Sequence, residues 1–358
     1  MNYLLIRDTL FYILVPLIFV ALITPFIKKV AIHVNALDIP NGRKVHTKPI
    51  PRLGGLAIVS GFLLGYILFG EPSLLMNSVL MGALVIVITG MVDDIKPISA
   101  KTKFLFQLIA VLIVVLYGNI NISKITVFGY LIDFKLFTIP LTILFLLTCI
   151  NCINLIDGLD GLSSGISAIY FLTVGIISLI MGRTGIYYVI SLIMLGSTLG
   201  FLIHNFHPAD IFLGDSGSMF LGYIIGIIAL LGYKTVVLTS IVIPLLILAI
   251  PLLDVAFAIV RRKLKGESMA KPDKSHIHHQ LLRMTSSQSK TVIIIYIVQL
   301  LFSAAAIIYM LHSPKIGYIV YGLLMVIVIV FMLKTDVVYD FEAKEKEIEA
   351  KIKKKTRK

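Results

Sequence analysis

Charged residues are scarce in this chain: they make up 14% of its 358 residues, whereas 58% are hydrophobic and the mean hydropathy is +0.99. A soluble globular domain usually carries about a quarter charged residues, so this composition excludes one. Apolar stretches close to the ~20 residues that cross a bilayer recur along the whole chain. The sequence therefore predicts a polytopic membrane protein.

Cysteine is also scarce, with Cys149 and Cys152 as the two examples. They form a Cys-x-x-Cys pattern inside an apolar stretch and have no second pair, so the interpretation as small apolar residues is favoured over a zinc or redox site. The P-loop, the glycine-rich kinase loop and the G-x-G-x-x-G pattern are absent from the sequence. A nucleotide, if one binds, is then held by side chains on loops and not by a soluble nucleotide-binding fold.

The fold class predicted is all-α, with about eleven transmembrane helices, because lipid forces each backbone polar group to find its partner within the segment. Pro244 and Pro251 predict that the ninth helix is kinked or broken. One integral membrane domain, 1–335, is followed by a charged cytoplasmic tail, 336–358. The predicted spans are 9–27, 54–70, 75–92, 104–119, 137–153, 163–182, 186–203, 217–233, 235–260, 291–312 and 315–333.

Acidic residues are outnumbered, 19 against 32 basic residues, and the basic ones lie mainly on one side of the predicted membrane. Because cytoplasmic loops are enriched in Lys and Arg, this bias places the N-terminus outside and the C-terminus in the cytoplasm. The net charge of +13 is explained by this topology, so no nucleic-acid partner is predicted. On the outer side, 119–136 has the alternating pattern of a small hairpin. The basic residues on that side are Arg7, Lys124, Lys135, Arg183, Lys234 and Lys315.

Three acidic clusters follow or precede apolar stretches, and the span count puts all three at the cytoplasmic surface. They are Asp93-Asp94, the segment 154–161 and the segment 212–218. Ionisable residues close to a membrane are costly, so their concentration indicates function. We expect the three clusters to form one catalytic surface.

The second cluster has oxygen ligands at regular spacing. Asn154, Asp157 and Asp160 are related as i, i+3 and i+6, which on a helix places them on one face. Gly158 and Gly161 leave room for a ligand to approach the backbone. Such a face suits Mg²⁺ or a polar ligand, and the alternative is a polar helix end in the headgroup region.

The other two acidic clusters have different local chemistry. Asp93 and Asp94 are adjacent carboxylates that repel each other, which a metal site, an acid–base role or a solvated loop would relieve. In the third cluster, Asp215 or Ser216 is expected to cap the eighth helix, whose first amides would form a phosphate cradle. Asp254 lies inside the ninth span and is expected to face a cavity or a helix partner.

Three histidines, His276, His278 and His279, lie in a long basic loop after the ninth span. No cysteine or H-E-x-x-H pattern accompanies them, so zinc is disfavoured and a phosphate-binding role is favoured. With the carboxylates, they supply what phosphoryl transfer needs, namely cations, metal ligands and positioning. A transporter is the alternative of a different class, but coupling residues in transporters lie near the midplane.

The chain resembles the polyprenyl-phosphate N-acetylhexosamine-1-phosphate transferase family, also called glycosyltransferase family 4. Five motifs carry the resemblance in order along nearly the whole chain. They are 38–46 with Pro-Arg-Leu-Gly-Gly at 51–55, then Asp93-Asp94, 154–161, 205–218 and 276–279. The family implies a membrane enzyme that joins a UDP-linked amino sugar phosphate to a lipid phosphate.

The resemblance also implies roles by position. Asp215 is similar to the Mg²⁺-binding aspartate, with Asp94 as a second metal ligand and Mn²⁺ as an alternative ion. Asp93, Asp94 and His279 look catalytic. The residues similar to substrate-binding positions are Lys44, His46, Asn154, Asp157, Asp160, Asn205, Phe212, His276 and His278.

The histidine motif His-Ile-His-His-Gln-Leu favours the UDP-GlcNAc branch of the family, as in teichoic-acid or O-antigen initiation, over the muramoyl-pentapeptide branch. The implied partners are UDP-GlcNAc, undecaprenyl phosphate and the lipid bilayer, in a multi-pass plasma-membrane protein with its active site on the cytoplasmic face. Apolar outer helix faces suit lipid or a second copy of the chain equally, which leaves a homodimer open.

Overall fold

A computed structural model describes residues 3–40, 48–127, 130–234, 248–264, 277–311 and 314–334 of the chain. These residues are mostly helical, in agreement with the all-α prediction. The helices are α1 (Tyr3–His33), α2 (Gly55–Phe69), α3 (Leu74–Ile95), α4 (Ala100–Leu112), α5 (Thr138–Ile156), α6 (Leu162–Ile180), α7 (Ile186–Asn205), α8 (Gly214–Lys234), α9 (Ala249–Leu264), α10 (Ile277–Thr285), α11 (Gln288–Leu311) and α12 (Pro314–Lys334). A π-helical turn, Ile113–Tyr117, extends α4.

Nine helices of the described residues are long and apolar enough to cross a membrane, which confirms a polytopic membrane protein. The second predicted span is a shorter apolar helix, α2, of 15 residues. Residues 235–247, including Pro244, lie outside the described residues. Pro251 lies in the first turn of α9, where a missing N–H costs little. The count of eleven spans, the orientation and the kink stay predictions.

Serine side chains fix where two of the membrane helices begin. The Ser73 hydroxyl accepts the N–H of Met76 at the start of α3, and the Ser99 hydroxyl accepts that of Thr102 at the start of α4, both at 3.1 Å. Such caps satisfy amides that the first turn of a helix leaves without a partner. They set the lengths of the two helices that present Asp93, Asp94 and Lys103.

Two short antiparallel hairpins lie between helices. Strands β1 (Leu37–Asp38) and β2 (Ile50–Pro51) pair before α2, and strands β3 (Lys124–Val127) and β4 (Tyr130–Asp133) pair before α5. The second hairpin confirms the one predicted within 119–136. The first places the residue that follows it, Arg52, beside Asp38.

Helix α8 lies at the centre of the bundle. It packs against α3 and α5, and less extensively against α2 and α6, whereas α7 packs against α1, α2 and α6. Because α3, α5 and α8 are neighbours, the three acidic clusters at their ends meet at one end of the bundle. This arrangement agrees with the single surface predicted from the span count.

Candidate active site

One cavity of about 250 Å³ collects most of the predicted residues. Seven predicted positions line it: Asn154, Asp157, Asp160, Asn205, Phe212, Asp215 and His279. Asp38, Arg52 and Gln288 line it as well. Residues from loops before α2, after α5 and before α8 therefore converge on one polar space.

Asp94 holds the start of α8 from another helix. Its Oδ1 accepts the N–H of Asp215 at 2.8 Å, and its Oδ2 accepts the N–H and the hydroxyl of Ser216 at 3.0 and 2.8 Å. The expectation that these amides form a phosphate cradle capped from within the segment is wrong, because a buried carboxylate already occupies them. A carboxylate at this position is favourable, since a helix N-terminus carries partial positive charge.

Gly214 makes this cap sterically feasible. Its backbone is left-handed, with φ of +73°, and a Cβ atom there would lie 2.5 Å from Oδ2 of Asp94 and 2.4 Å from the carbonyl oxygen of Arg52. Glycine adopts this conformation without steric cost and leaves room for the carboxylate. The Gly-Asp-Ser-Gly motif at 214–217 is thus explained by backbone geometry as well as by its acid.

Asp93 points away from Asp94 towards a lysine. Its Oδ2 accepts Nζ of Lys103 at 2.9 Å, and its Oδ1 accepts the N–H of Ile98 at 2.9 Å. The same Lys103 ammonium is in close contact with Oδ2 of Asp215. The lysine thus bridges two of the predicted acids, and this resolves the repulsion expected within the Asp93-Asp94 pair.

Arg52 is a second bridging cation, and its guanidinium reaches three carboxylates. The distances from its nitrogens are 3.2 Å to Asp94, 3.3 Å to Asp38 and 3.5 Å to Asp215. Burial acts to lower the pKa of Arg52, but the surrounding carboxylates outweigh burial and raise it above its ordinary value. With Asp93 and Lys103, the cluster has four carboxylates and two cations, so it retains an excess of negative charge.

Asp157 lines the same cavity without an ion pair or a side-chain hydrogen bond to the described residues. Burial, followed by the negative charge of Asp215, raises its pKa well above the usual range, and Arg52 opposes this shift. Asp157 is half-buried, and a carboxylate whose pKa is raised in this way is stabilised when a cation binds beside it. The position is therefore suited to a cationic ligand.

The interpretation of 154–160 as one helical face is wrong. Helix α5 ends at Ile156, and Asp157 and Asp160 lie in the turn that follows, which closes at Gly161 with φ of +76°. Asn154 remains on the helix, where its amide donates to the Ser218 hydroxyl at 2.8 Å. The oxygen atoms still converge on the cavity, but a loop positions them.

Two predicted substrate-binding residues also have structural hydrogen bonds. The Asn205 side chain accepts from the Ser164 hydroxyl at 2.7 Å and donates to the carbonyl oxygen of Ile211 at 3.0 Å. Asp160 accepts the N–H of Ala209 at 3.1 Å and lies 2.7 Å from Nδ1 of His207. Both residues brace the 205–211 loop that leads to Phe212, and their roles in substrate binding stay predictions.

The two described histidines of the motif have different surroundings. His279 lines the cavity, whereas His278 is 2% exposed and lies against Gly158. This packing favours a supporting position for His278 over direct substrate contact. Lys44, His46 and His276 lie outside the described residues.

The family model described as Glycosyl transferase family 4 matches residues 76–233. A relative from Bacillus subtilis (strain 168), described as a probable undecaprenyl-phosphate N-acetylglucosaminyl 1-phosphate transferase, is 42% identical over 82% of this chain and 83% of its own length. The chain belongs to glycosyl transferase family 4. The match covers α3 to α8, the helices that carry the acidic clusters.

Two further relatives are similar over most of the chain. A decaprenyl-phosphate N-acetylglucosaminephosphotransferase from Mycolicibacterium smegmatis is 32% identical over 87% of this chain and 84% of its own length. An undecaprenyl-phosphate alpha-N-acetylglucosaminyl 1-phosphate transferase from Escherichia coli O157:H7 is 29% identical over 81% of both chains. The resemblance inferred from the motifs is thus confirmed at family level.

This family 4 site contains residues that the sequence did not mark. Asp38 opens the 38–46 motif but was assigned no role, and Lys103 lies on α4, the helix that follows Asp93-Asp94. Arg52 lies inside the Pro-Arg-Leu-Gly-Gly motif, but the motif alone assigns it no role. Gln288, at the start of α11, was outside every motif.

The donor set of the cavity fits Mg²⁺. In the described part of the chain no three acidic, histidine or cysteine side chains are close enough to enclose an ion. Mg²⁺ does not need such a cage, because it usually takes one or two carboxylates and completes its shell with phosphate oxygens and water. Asp215 and the unpaired Asp157 supply hard oxygen ligands to one space, which satisfies that requirement.

Proposed function

We propose that this protein transfers GlcNAc 1-phosphate from UDP-GlcNAc to undecaprenyl phosphate, releasing UMP and leaving the lipid-linked diphosphate sugar. The observation that carries the proposal is the convergence of Asp157, Phe212, Asp215 and His279 on one cavity beside the four-carboxylate cluster. The names of three relatives that cover most of the chain give the same reaction type.

In the proposed reaction, an oxygen of the lipid phosphate attacks the β-phosphorus of UDP-GlcNAc. The bond from that phosphorus to the bridging oxygen breaks, and UMP leaves with the electron pair. Phe212 offers an aromatic face for the uracil, and His279 lies where it can contact the phosphates. Asp215 and Asp157 would hold Mg²⁺, which when bound neutralises charge on the diphosphate.

Asp93 is proposed to position Lys103 and not to act as a general base. A phosphate monoester has a second pKa near ~6, so much of the acceptor is already a dianion at neutral pH. In the structure both Asp93 oxygens are engaged, by Lys103 and by the N–H of Ile98. The ion pair would keep the lysine directed at Asp215.

A pH profile distinguishes these roles. We expect Asp93→Asn to lower kcat by about 10²-fold, the typical effect of a misplaced active-site group, equally at every pH from 6 to 9. Steady-state UMP release at each pH measures this. Recovery of activity at high pH alone would instead assign deprotonation of the acceptor to Asp93.

The site is proposed to lie on the cytoplasmic face of the plasma membrane, with the N-terminus outside. The excess of basic residues on that side supports this orientation. Cysteine-accessibility labelling of intact cells at Ser123 in the outer segment and at Lys96 beside the site tests it. Labelling of S123C and protection of K96C are expected, and the reverse pattern would invert the topology.

Activity is tested with detergent-purified protein, polyprenyl phosphate and Mg²⁺, with UDP-GlcNAc, UDP-GalNAc and UDP-MurNAc-pentapeptide in separate reactions. We expect UMP from UDP-GlcNAc, abolished by EDTA and by Asp215→Ala. Asp133→Ala is the matched control, because that aspartate lies on the β3–β4 hairpin in an exposed ion pair with Lys124. UMP from the pentapeptide donor alone would move the chain to the other branch, and no UMP from folded protein would refute the proposal.

A further inference from the structure

Asp254 is a buried acid that the proposed reaction does not use. It lies on α9, is 2% exposed, and does not line the cavity. An isolated carboxylate in such surroundings is costly unless it has a partner. Its presence therefore requires an explanation from the contacts it makes.

One partner of this carboxylate is the first amide of α10. Oδ1 of Asp254 accepts the N–H of Ile277 at 2.8 Å. This amide belongs to the first residue of the helix and has no partner within it. A carboxylate here both accepts that hydrogen bond and interacts favourably with the positive end of the helix dipole. Asp254 therefore attaches α10 to α9 across 23 positions of sequence.

The attached turn carries the two described histidines of the motif. His278 and His279 directly follow Ile277, and His279 lines the cavity with Asp157 and Asp215. His278 packs closely against Gly158, because a Cβ atom built on that glycine would lie 2.4 Å from Nε2 of His278. Gly158 adjoins Asp157, so the histidine turn is located directly against the acidic loop.

The helix that carries Asp254 also packs against the helix that ends at that loop. Helix α9 contacts α5, which ends at Ile156. Asp254 thus joins α10 to a helix that is itself packed against α5. A shift of α10 at this junction moves His279 relative to Asp157 and Asp215.

We propose that Asp254 is a positioning residue, which fixes the first turn of α10 and thereby holds the His279 imidazole in the catalytic cavity. The proposal rests on the proposed transferase function for its kinetic consequences. It assigns Asp254 no contact with substrate. Its effect comes through geometry, because a displacement of about 1 Å at a reacting centre can reduce the rate by about 100-fold.

The first test measures the anchor without using activity. Hydrogen exchange is followed by mass spectrometry on peptides from α10 and, as internal reference, from α3 and α8, in wild type, Asp254→Ala, Asp254→Asn and Asp133→Ala. We expect faster exchange in α10 for Asp254→Ala alone, because asparagine keeps an oxygen acceptor and Asp133 lies on the distant hairpin. Unchanged exchange in α10, or faster exchange throughout the protein, would overturn the anchor.

The second test is a double-mutant cycle with His279. We expect Asp254→Ala to lower kcat by about 100-fold and Asp254→Asn by less than about 5-fold, with KM for UDP-GlcNAc changed by less than about 3-fold. In a His279→Ala background, Asp254→Ala should cost less than about 3-fold, because the residue it positions is gone. If the double variant instead loses kcat by the full product of the two single losses, Asp254 does not act through His279.

The two tests separate the proposals. If the wild-type protein releases no UMP from any donor while the exchange result holds, the transferase function fails and the anchor stands. If UMP release is normal in Asp254→Ala while α10 exchanges faster, the anchor exists but does not position a group that matters for turnover. That outcome overturns the positioning role.

Discussion

Helices α8 and α12 have 21 residues each and are both apolar, but the structure uses them in opposite ways. Within an apolar stretch of 18 residues, 94% of the residues are buried in α8, whereas only 11% are buried in α12. The more hydrophobic of the two is α12, the exposed one. In this protein, hydropathy therefore identifies a span but does not say how deeply the helix is buried.

The physical reason is that lipid tails are as apolar as leucine. An aliphatic side chain in a bilayer therefore gains no hydrophobic free energy when it is buried between helices. Burial in a bilayer instead selects residues that allow close backbone approach or internal hydrogen bonds. Helix α8 has glycines at Gly217, Gly222 and Gly226 and serines at Ser216 and Ser218 on contact surfaces. Among the nine candidate spans of the described residues, α8, which carries Asp215, therefore has the largest buried share.

The variant with the largest expected effect removes Asp94, the acid that caps α8. Asp94→Ala leaves two amides and the Ser216 hydroxyl without their acceptor and removes one partner of Arg52. Breaking a buried, hydrogen-bonded charge pair costs about 3–5 kcal/mol, so we expect a large fall in thermal stability and loss of UMP release. Differential scanning fluorimetry in detergent and the UMP assay measure the two effects.

The control for this prediction is Asp133→Ala, which removes half of an exposed pair in the outer hairpin. Exposed pairs contribute about 0–1 kcal/mol, so the control should stay close to wild type. An Asp94→Ala protein as stable as the control would show that the cap does not hold α8. The proposed contrast between the buried helix α8 and the exposed helix α12 would then lose its main support.

The sequence predicted the site better than it predicted the local structure that forms it. Ionisable residues at span ends are few in an apolar chain, so Asp157, Asp215 and His279 could be selected and placed on one surface. The cations Arg52 and Lys103 were harder, because their contacts with Asp215 join positions 163 and 112 residues apart. Nothing in local sequence encodes such pairing, which depends on how α2, α4 and α8 pack.

The errors at 154–161 and at the start of α8 have different causes. The spacing of Asn154, Asp157 and Asp160 is helical, but Gly158 and Gly161 are typical of a helix end and predict the turn that the structure contains. That signal was available in the sequence. The cap by Asp94 was not, because a capping residue from another helix leaves no trace next to the helix it caps.

The second test compares one aliphatic truncation in each helix. Ile225 in α8 is fully buried, and Ile319 in α12 is 62% exposed. Ile225→Ala leaves a cavity that neighbouring helices fill only in part, and we expect a loss of about 2–3 kcal/mol. Ile319→Ala faces lipid, which fills the space, so its effect should lie within about 0.5 kcal/mol. Unfolding midpoints in bicelles measure both, and equal losses would mean that α12 is packed as tightly as α8.

The variants with the smallest expected effect add one methyl group to each helix. The change in stability should have opposite signs in α8 and α12. A Cβ atom at Gly222 in α8 would lie 2.6 Å from the carbonyl oxygen of Cys149 and 2.7 Å from Cα of Ile150, whereas Gly322 in α12 has nothing within 4 Å. Backbone atoms cannot rotate away, so Gly222→Ala should force α5 from α8 and cost about 1–3 kcal/mol.

Gly322→Ala meets open space and gains helix propensity, so it should be neutral or stabilising by up to about 1 kcal/mol. Melting temperatures of the two variants, measured together in one detergent, compare the same substitution on the two helices. A destabilised Gly322→Ala would reveal a partner against α12, and a tolerated Gly222→Ala would show that the α5–α8 contact can relax. Either result would mean that close backbone approach is not what separates the core helix from the peripheral one.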